Sequence, residues 1–463
     1  MTARRRTTVA ALVLVNLLSG CVAWRTLPQA GAASVARQSR PFRIVGAHGA
    51  VDAVTRRRIS QRLNGLGDEN ALVRQLAVMQ ELGGTPLITG NRATLLVDGP
   101  RTYGSMFAAM SHAANHINIE MYIFDEAVNE GRALTDVLVE RARAGVAINV
   151  LYDALGSNGT PAALFEKLRA AGVQTCAFNP LNPLSSGKLD FTQRDHRKLV
   201  LVDGAIAFTG GINFSNTYSS SSRARVSVDL DSRKKGWRDT HIKVEGPVTL
   251  RMQKLFFQNW GKQDCPAVAN ANYLPAAKIA GDTLLRLDVA SRDLPGNNTY
   301  LSALTAVLFA KESVDLTMAY FAPNSQLEQA LVQAARRGVR VRLLLAGVSD
   351  FDGILQAGRA HYSRLLRSGI KIYEAREAVL HAKTLQVDGV WSTVGSTNWD
   401  ALSFSSNDEL NVVVIDRDFA AQMHALFEQD LQTATSIERE SWSRRPLADR
   451  VKQHFWSLWE HWL

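Results

Sequence analysis

The chain has 463 residues, 46% of them hydrophobic, and a formal charge of +10. That length fits two or three domains with sizeable cores, and the composition is too ordinary for a polytopic membrane protein. The basic balance suits phosphate-bearing partners, anionic lipid or nucleic acid, or simply solubility, and does not choose among them.

Residues 1–20 open with Arg4-Arg5-Arg6, run apolar from Val9 to Leu18 and close in small residues before Cys21. A positive start, a short apolar core and a small-residue break make a secretion signal. The run is too short to span a bilayer comfortably as a helix. Ending in Leu18-Ser19-Gly20-Cys21, it resembles a bacterial lipoprotein signal, which implies that Cys21 receives lipid and becomes the mature N-terminus. Ordinary cleavage and an uncleaved anchor are the alternatives. Without this segment, which carries three arginines and no acid, the formal charge becomes +7 (10 − 3).

Residues 21–85 read as a tether followed by N-terminal helices. The stretch from 22 to about 45 is rich in Ala, Arg, Ser and Gln and lacks periodicity, and 51–83 carry apolar residues at helical spacing up to Gly83-Gly84. A first half covers 86–281. It predicts a strand ending at Asp98-Gly99, a helix over 102–115, a strand over 116–124, a helix ending at Gly145, the strand INVLYD and the helix PAALFEKLRAAGV. This alternation is that of an α/β unit. The polar, Ser- and Arg/Lys-rich segment 215–236 reads as a mobile loop over the site, and LRMQKLFFQNW as a helix.

A second half, 282–440, repeats the order. LEQALVQAARRGVRVRLLLAG matches LTDVLVERARAGVAINVLYDA, with Gly338 where Gly145 stands, so the chain is internally duplicated. The tail, 441–463, is amphipathic; Trp456, Trp459 and Trp462 with Leu458 and Leu463 suit a membrane interface or packing on the body. Cys176 and Cys265 are either a disulfide of an oxidising compartment or two free thiols, and no Cys/His cluster signals zinc.

The chemistry lies in a repeated motif. His196 to Asp203 reads HRKLVLVD, and His381 to Asp388 reads HAKTLQVD, 185 residues later (381 − 196). Small-residue turns with an asparagine follow, TGGINFSN from Thr209 and VGSTNWDA from Val394. One such motif arises easily by chance; two, with matching tails inside a duplication, do not. Alternate residues of a strand share a face, so His196 points with Lys198 and His381 with Lys383. Asp203-Gly204 and Asp388-Gly389 predict hairpin turns. Two such halves facing each other would bring both His/Lys pairs to one cleft.

Two HxKxxxxD motifs in one chain resemble the phospholipase D superfamily, over roughly residues 85–450. The resemblance implies an α/β fold of two duplicated α/β/α sandwich halves, packed about a pseudo-two-fold with one shared active site. It implies a catalytic set of His196, Lys198, Asp203, His381, Lys383 and Asp388. One imidazole attacks phosphorus and the other serves as general acid, then base. His196 is assigned as nucleophile and His381 as acid/base by analogy; the residues alone permit the reverse. Lys198 and Lys383 would hold phosphate oxygens, and Asp203 and Asp388 would be supports. Asn213 and Asn398, with the hydroxyls of Thr209 and Ser396, would add neutral donors to substrate. A carboxylate downstream of each motif is expected to orient that half's histidine: Asp239 in the first half, Glu409 in the second. This chemistry requires neither metal nor cofactor.

Outside the motifs, GNRATLLVDG, INIEMYIF, WRDTHIKVEGPV and GSTNWDALSFSSNDELNVVV are similar to bacterial cardiolipin synthases, though the long hydrophobic N-terminal spans of many are absent. The resemblance implies transfer of a phosphatidyl group between two phosphatidylglycerols. The partners implied are anionic phospholipid and a membrane surface, not nucleic acid. Hydrolysis to phosphatidic acid, a secreted nuclease and a catalytically silent lipid-binding envelope protein are the alternatives. With Val22 rather than Asp after Cys21, the location implied is the outer membrane, facing the periplasm.

Overall fold

The computed structural model describes residues 42–65, 71–181, 192–222, 236–294 and 296–462. The expected signal peptide, Cys21, tether residues 22–41 and loop residues 223–235 lie outside the described residues. Chain order in the first half is β1 (Ile44–Gly46), β2 (Gly49–Ala50), β3 (Leu87–Val97), β4 (His116–Met121), the short hairpin β5 (Val128–Asn129) and β6 (Arg132–Ala133), β7 (Ala147–Asp153), β8 (Gln174–Phe178), β9 (Lys198–Val202), β10 (Ile206–Gly210) and β11 (Thr240–Glu245). The sheet runs β8-β7-β4-β9-β10-β11-β3. Neighbours β8, β7 and β4 are parallel, and the remaining pairs antiparallel.

The second half follows with β12 (Thr283–Ala290), β13 (Ser313–Met318), β14 (Arg340–Ala346), β15 (Lys371–Ala375), β16 (Lys383–Val387), β17 (Trp391–Gly395), β18 (Glu409–Ile415) and β19 (Thr435–Ile437). Its order, β15-β14-β13-β16-β17-β18-β12, reproduces the first sheet strand for strand, with β19 added outside β15. The duplication read from sequence is therefore a duplication of topology. The parallel strands need long crossovers, supplied by helices such as Leu134–Arg143 and Ser325–Arg336.

β3 joins the halves. Its C-terminal part pairs with β11 and its N-terminal part with β12. Between the sheets lies one continuous core. Leu199, Leu201 and Ile242 meet Leu285, Leu410 and Val412. Helix Val248–Lys262 adds Val248, Met252, Phe256 and Trp260 to it, a stripe at four-residue spacing. Disulfide Cys176–Cys265, with Cα atoms 5.6 Å apart, ties β8 to the chain beyond that helix.

One feature of the N-terminal region differs from the sequence reading. Residues 44–46 are not tether: Ile44 is buried and β1 pairs in parallel with β3. The helices Ala53–Asn64 and Ala71–Glu81 form where the apolar spacing predicts them, and the sequence does not say which half they pack on. Ile59, Leu63 and Leu76 join the outer core of the second half, with Tyr300, Leu304 and Val307. Among the described residues, no helix is long and apolar enough to cross a membrane.

Candidate active site

Both motifs sit where the halves meet. Each lysine opens a fully buried strand, β9 or β16, and its histidine stands two residues earlier. Each strand ends in a three-residue turn whose first two residues have positive φ: Asp203 at 52° with Gly204 at 63°, and Asp388 at 52° with Gly389 at 61°. Aspartate and glycine tolerate this conformation; branched side chains do not. The Asp203 carboxylate accepts backbone N–H bonds from Ala114, Asn115 and His116 at 2.8–2.9 Å. Asp388 does the same for Lys311, Glu312 and Ser313. The motif aspartates thus pin the turn to the strand start of β4 or β13, at the end of the sheet away from the histidines.

The chain ahead of each motif is bonded to the other half. The His196 N–H donates to the Asp408 carbonyl at 2.9 Å, and the His381 N–H to the Arg238 carbonyl at 2.8 Å. The carboxylate next to each of those carbonyls is consequently the one that reaches the imidazole. Glu409 of the second half stands 3.0 and 3.2 Å from Nδ1 of His196. Asp239 of the first half stands 2.8 Å from Nδ1 of His381. The expected partners are present but exchanged: each half orients the histidine of the other.

This bonding fixes the ring state. A carboxylate accepts from Nδ1–H, which leaves the lone pair of a neutral imidazole on Nε2. The two rings are almost closed off from solvent, and burial lowers both pKa values. His196 is pushed down to about 4 against the opposing pull of Glu409, and His381 falls through burial and the charge of Lys383. Burial pushes Glu409 and Asp239 up, but the facing histidine and the motif lysines outweigh it and hold both carboxyls below the usual range. Burial pulls Lys198 down to about 7 and Lys383 to about 8, and the charge of Lys383 adds to the effect on Lys198. Lys383 acts on His196 and Lys198 on His381, so all four groups belong to one electrostatic site. Each ammonium also donates to the carbonyl of its own motif's histidine, at 2.6 Å for Lys198.

The expected neutral donors fall in two groups. The Asn398 Oδ1 and the Thr209 hydroxyl are both buried without a hydrogen-bond partner among the described residues; the first is an acceptor, suited to a substrate hydroxyl and not to a phosphate oxygen. The Ser396 hydroxyl is taken up within the protein, whereas Asn213 is engaged through its oxygen. The Asn213 Oδ1 accepts from the Ile123 N–H at 3.1 Å. The Ser396 hydroxyl donates to Glu409 and accepts from the Leu410 N–H at 3.0 Å, which braces the carboxylate behind His196. Thr209 is buried inside β10. The position equivalent to Ser396 in the first half is Gly211, where an added Cβ would lie 2.1 Å from Asp239 Oδ1. In this half the nearby hydroxyl meets the ring and not the acid: Tyr218 OH lies 3.1 Å from His381 Nδ1.

Sequence reasoning missed the aromatic walls. Tyr122 meets His196 edge-on at 5.0 Å and carries Lys198 Nζ 5.0 Å from its ring centre. Trp237 lies 5.2 Å from the His381 ring, and Tyr320 6.3 Å. Tyr122 stands one residue past β4 and Tyr320 two residues past β13, so the two are not counterparts in the repeat and the duplication alone would not have paired them. Also missed was Arg197, buried between Glu120 at 3.1 Å and Asp408 at 3.5 Å, which clamps the two halves beside His196.

A family model described as cardiolipin synthase, phospholipase D-like domain, matches residues 106–228 and 305–431, once on each half. The chain belongs to this family. A Geobacillus kaustophilus protein named cardiolipin synthase is 31% identical over 383 residues, 82% of this chain and 74% of its own. Cardiolipin synthase A of Pseudomonas syringae pv. syringae is 33% identical over 376 residues, 80% of this chain and 75% of its own. The crystal structure of phosphatidylserine synthase from Haemophilus influenzae Rd KW20 covers 84% of this chain and 100% of its own at a TM-score of 0.60 and 12% identity, a likeness of fold. The duplicated phospholipase D-like architecture is thus common to the model match and to a solved relative.

Proposed function

We propose that this phospholipase D-like enzyme makes cardiolipin by moving a phosphatidyl group from one phosphatidylglycerol to the hydroxyl of a second. Nε2 of His196 attacks phosphorus in line, and the P–O bond to the leaving glycerol breaks. His381 enters this step in its cationic form, stabilised by Asp239 at Nδ1, and gives its Nε2 proton to that oxygen, which leaves the ring neutral. The neutral His381 then takes the proton of the incoming glycerol hydroxyl, whose oxygen displaces His196 from phosphorus. Lys198 and Lys383 turn from the backbone carbonyls to the phosphoryl oxygens and stabilise charge in both transition states. Glu409 and Asp239 stabilise the cationic form that each ring takes during the cycle.

The crossed histidine–carboxylate pairs carry this reading, because they leave two Nε2 atoms at one lysine-flanked site. The near-closure of both rings, 12% and 7% exposed, and the aromatic walls support a lipid hydroxyl over water as acceptor. The family's name supports the product. The lipoprotein-like signal supports an envelope location, anchored through Cys21 in the outer membrane and facing the periplasm. The Cys176–Cys265 pair agrees with an oxidising compartment.

The test is a product assay. Purified protein given phosphatidylglycerol vesicles without added metal is expected to yield cardiolipin and glycerol. Phosphatidic acid as the only product would mean hydrolysis, and cleavage of DNA with no action on lipid would mean a nuclease. His196→Ala and His381→Ala should each abolish turnover with the fold intact.

A further inference from the structure

Among the described residues, the largest run of exposed apolar side chains lies on the C-terminal segment. Helix Leu447–Ser457 and the turn Glu460–Trp462 present Leu447, Val451, Phe455, Leu458, Trp459 and Trp462 outward. Leu447, Val451 and Leu458 are 72%, 62% and 65% exposed. Spacings of three and four residues place all six on one stripe. The other side of the segment is seated on helix Asp352–Arg367. Trp456 fits over Gly353, where an added Cβ would come within 2.8 Å of its ring, and it meets Phe351 edge-on at 6.2 Å. Lys452 pairs with Asp352 at 2.7 Å and Glu460 with His361 at 3.1 Å. The segment is therefore held in place, with its apolar stripe uncovered among the described residues.

That stripe borders the cleft. Phe351, itself exposed, follows Asp350, which accepts from the Tyr320 hydroxyl at 2.6 Å; the Tyr320 ring faces His381. The turn Glu460–Trp462 packs on helix Ala401–Ser405, which begins directly after Asn398-Trp399-Asp400 and exposes Leu402. Arg444 and Arg450 stand exposed beside the stripe. Tryptophan, phenylalanine and leucine on one side with arginines at its edge match the boundary between anionic headgroups and acyl chains.

We propose that this stripe, continued by Phe351 and Leu402, seats on an anionic phospholipid bilayer and sets the mouth of the cleft against it. This rests on the phosphatidyltransferase reading, and supplies what that reading lacks: a path by which a headgroup reaches buried imidazoles without its acyl chains leaving the membrane. The seating is shallow and in-plane, as expected of a short amphipathic helix.

The experiment uses the chain from Val22 onward, which carries neither the apolar signal nor Cys21, and a second form adding Val451→Ser, Phe455→Ser and Leu458→Ser. Sucrose-loaded vesicles of phosphatidylglycerol and phosphatidylcholine measure binding. Short-chain phosphatidylglycerol below its micelle concentration measures chemistry away from a membrane. The triple substitution is expected to weaken vesicle binding about a hundredfold and vesicular turnover in parallel, with short-chain turnover unchanged. Unchanged vesicle binding overturns the proposal, and so does an equal loss on both substrates. A parent that sediments as a dimer, with the triple form monomeric and binding vesicles normally, also overturns it and makes the stripe a protein interface. A parent that binds vesicles but transforms neither substrate sinks the phosphatidyltransferase reading and leaves the docking surface standing. As a second readout, brominated phosphatidylglycerol should quench the parent's fluorescence, and Trp459→Phe with Trp462→Phe should remove most of that quenching; quenching that persists in full counts against the proposal.

Discussion

Replacing Glu409 with glutamine changes one charge and almost no volume. Both carboxylate oxygens lie within 3.2 Å of His196 Nδ1, and Ser396 braces the group from behind. During the cycle the His196 ring becomes cationic, whichever histidine is the nucleophile. At a charge separation of about 4 Å and an effective dielectric of about 20, the carboxylate stabilises that cation by about 4 kcal/mol. A neutral amide oxygen in the same place keeps a hydrogen bond of about 1 kcal/mol. The difference of about 3 kcal/mol corresponds to a loss of about two orders of magnitude in kcat/KM. Histidine side-chain NMR supplies the decisive assay. His196, already pushed down to about 4 by burial, should titrate lower still once the opposing carboxylate is neutral, and His381 should not respond. A response confined to His381 would refute the crossed pairing. Full activity in Glu409→Gln would refute the role given to the charge.

Further expectations concern pH, sterics and the disulfide. Because burial pulls Lys198 to about 7 and Lys383 to about 8, the ammonium forms that hold phosphate are lost as pH rises through that window, while neutral His196 is lost only as pH falls toward 4. kcat/KM should therefore decline on the alkaline side, and a pH–rate profile still climbing above about pH 9 contradicts the lysine assignment. Gly211→Ala should slow turnover at least about tenfold by driving Asp239 off His381, whereas Gly159→Ala, with nothing within 4 Å of the new methyl, should be silent; equal rates would remove Asp239 from the site. The disulfide closes a separation of 89 residues, for which loop-closure entropy gives at most about 4–5 kcal/mol, so reductant or Cys176→Ser should lower Tm by several degrees. An unchanged melting curve under reductant would mean unpaired thiols.

Much of the fold could be read before any coordinates, because it is local and repeated. Strand and helix periods mark the crossovers on either side of Gly145 and Gly338, and Asp-Gly pairs announce the turns after β9 and β16. The histidines and lysines of the candidate site were legible for the same reason: two copies of one pattern. The exchange of Asp239 and Glu409 was not, since sequence order places each acid with its own half and only the bonding of Asp408 and Arg238 across the interface reverses it. The packing of Ile59 and Leu76 on the second half is likewise a tertiary fact with no local mark. Ser396 looks like a free donor in sequence because nothing there shows that Glu409 already occupies its hydroxyl.

The difference between Ser396 and Gly211 has a consequence for the whole cycle. A scaffold with a two-fold repeat would, if its copies were identical, present two interchangeable bases and no preferred order of events. Here one ring leans on a longer acid steadied by an alcohol from its own sheet, and the other on a shorter acid with a phenol against the ring itself. Duplication supplied the frame, and divergence in the acid, in the small residue behind it and in the neighbouring hydroxyl breaks its degeneracy, so that the two imidazoles are chemically distinct partners.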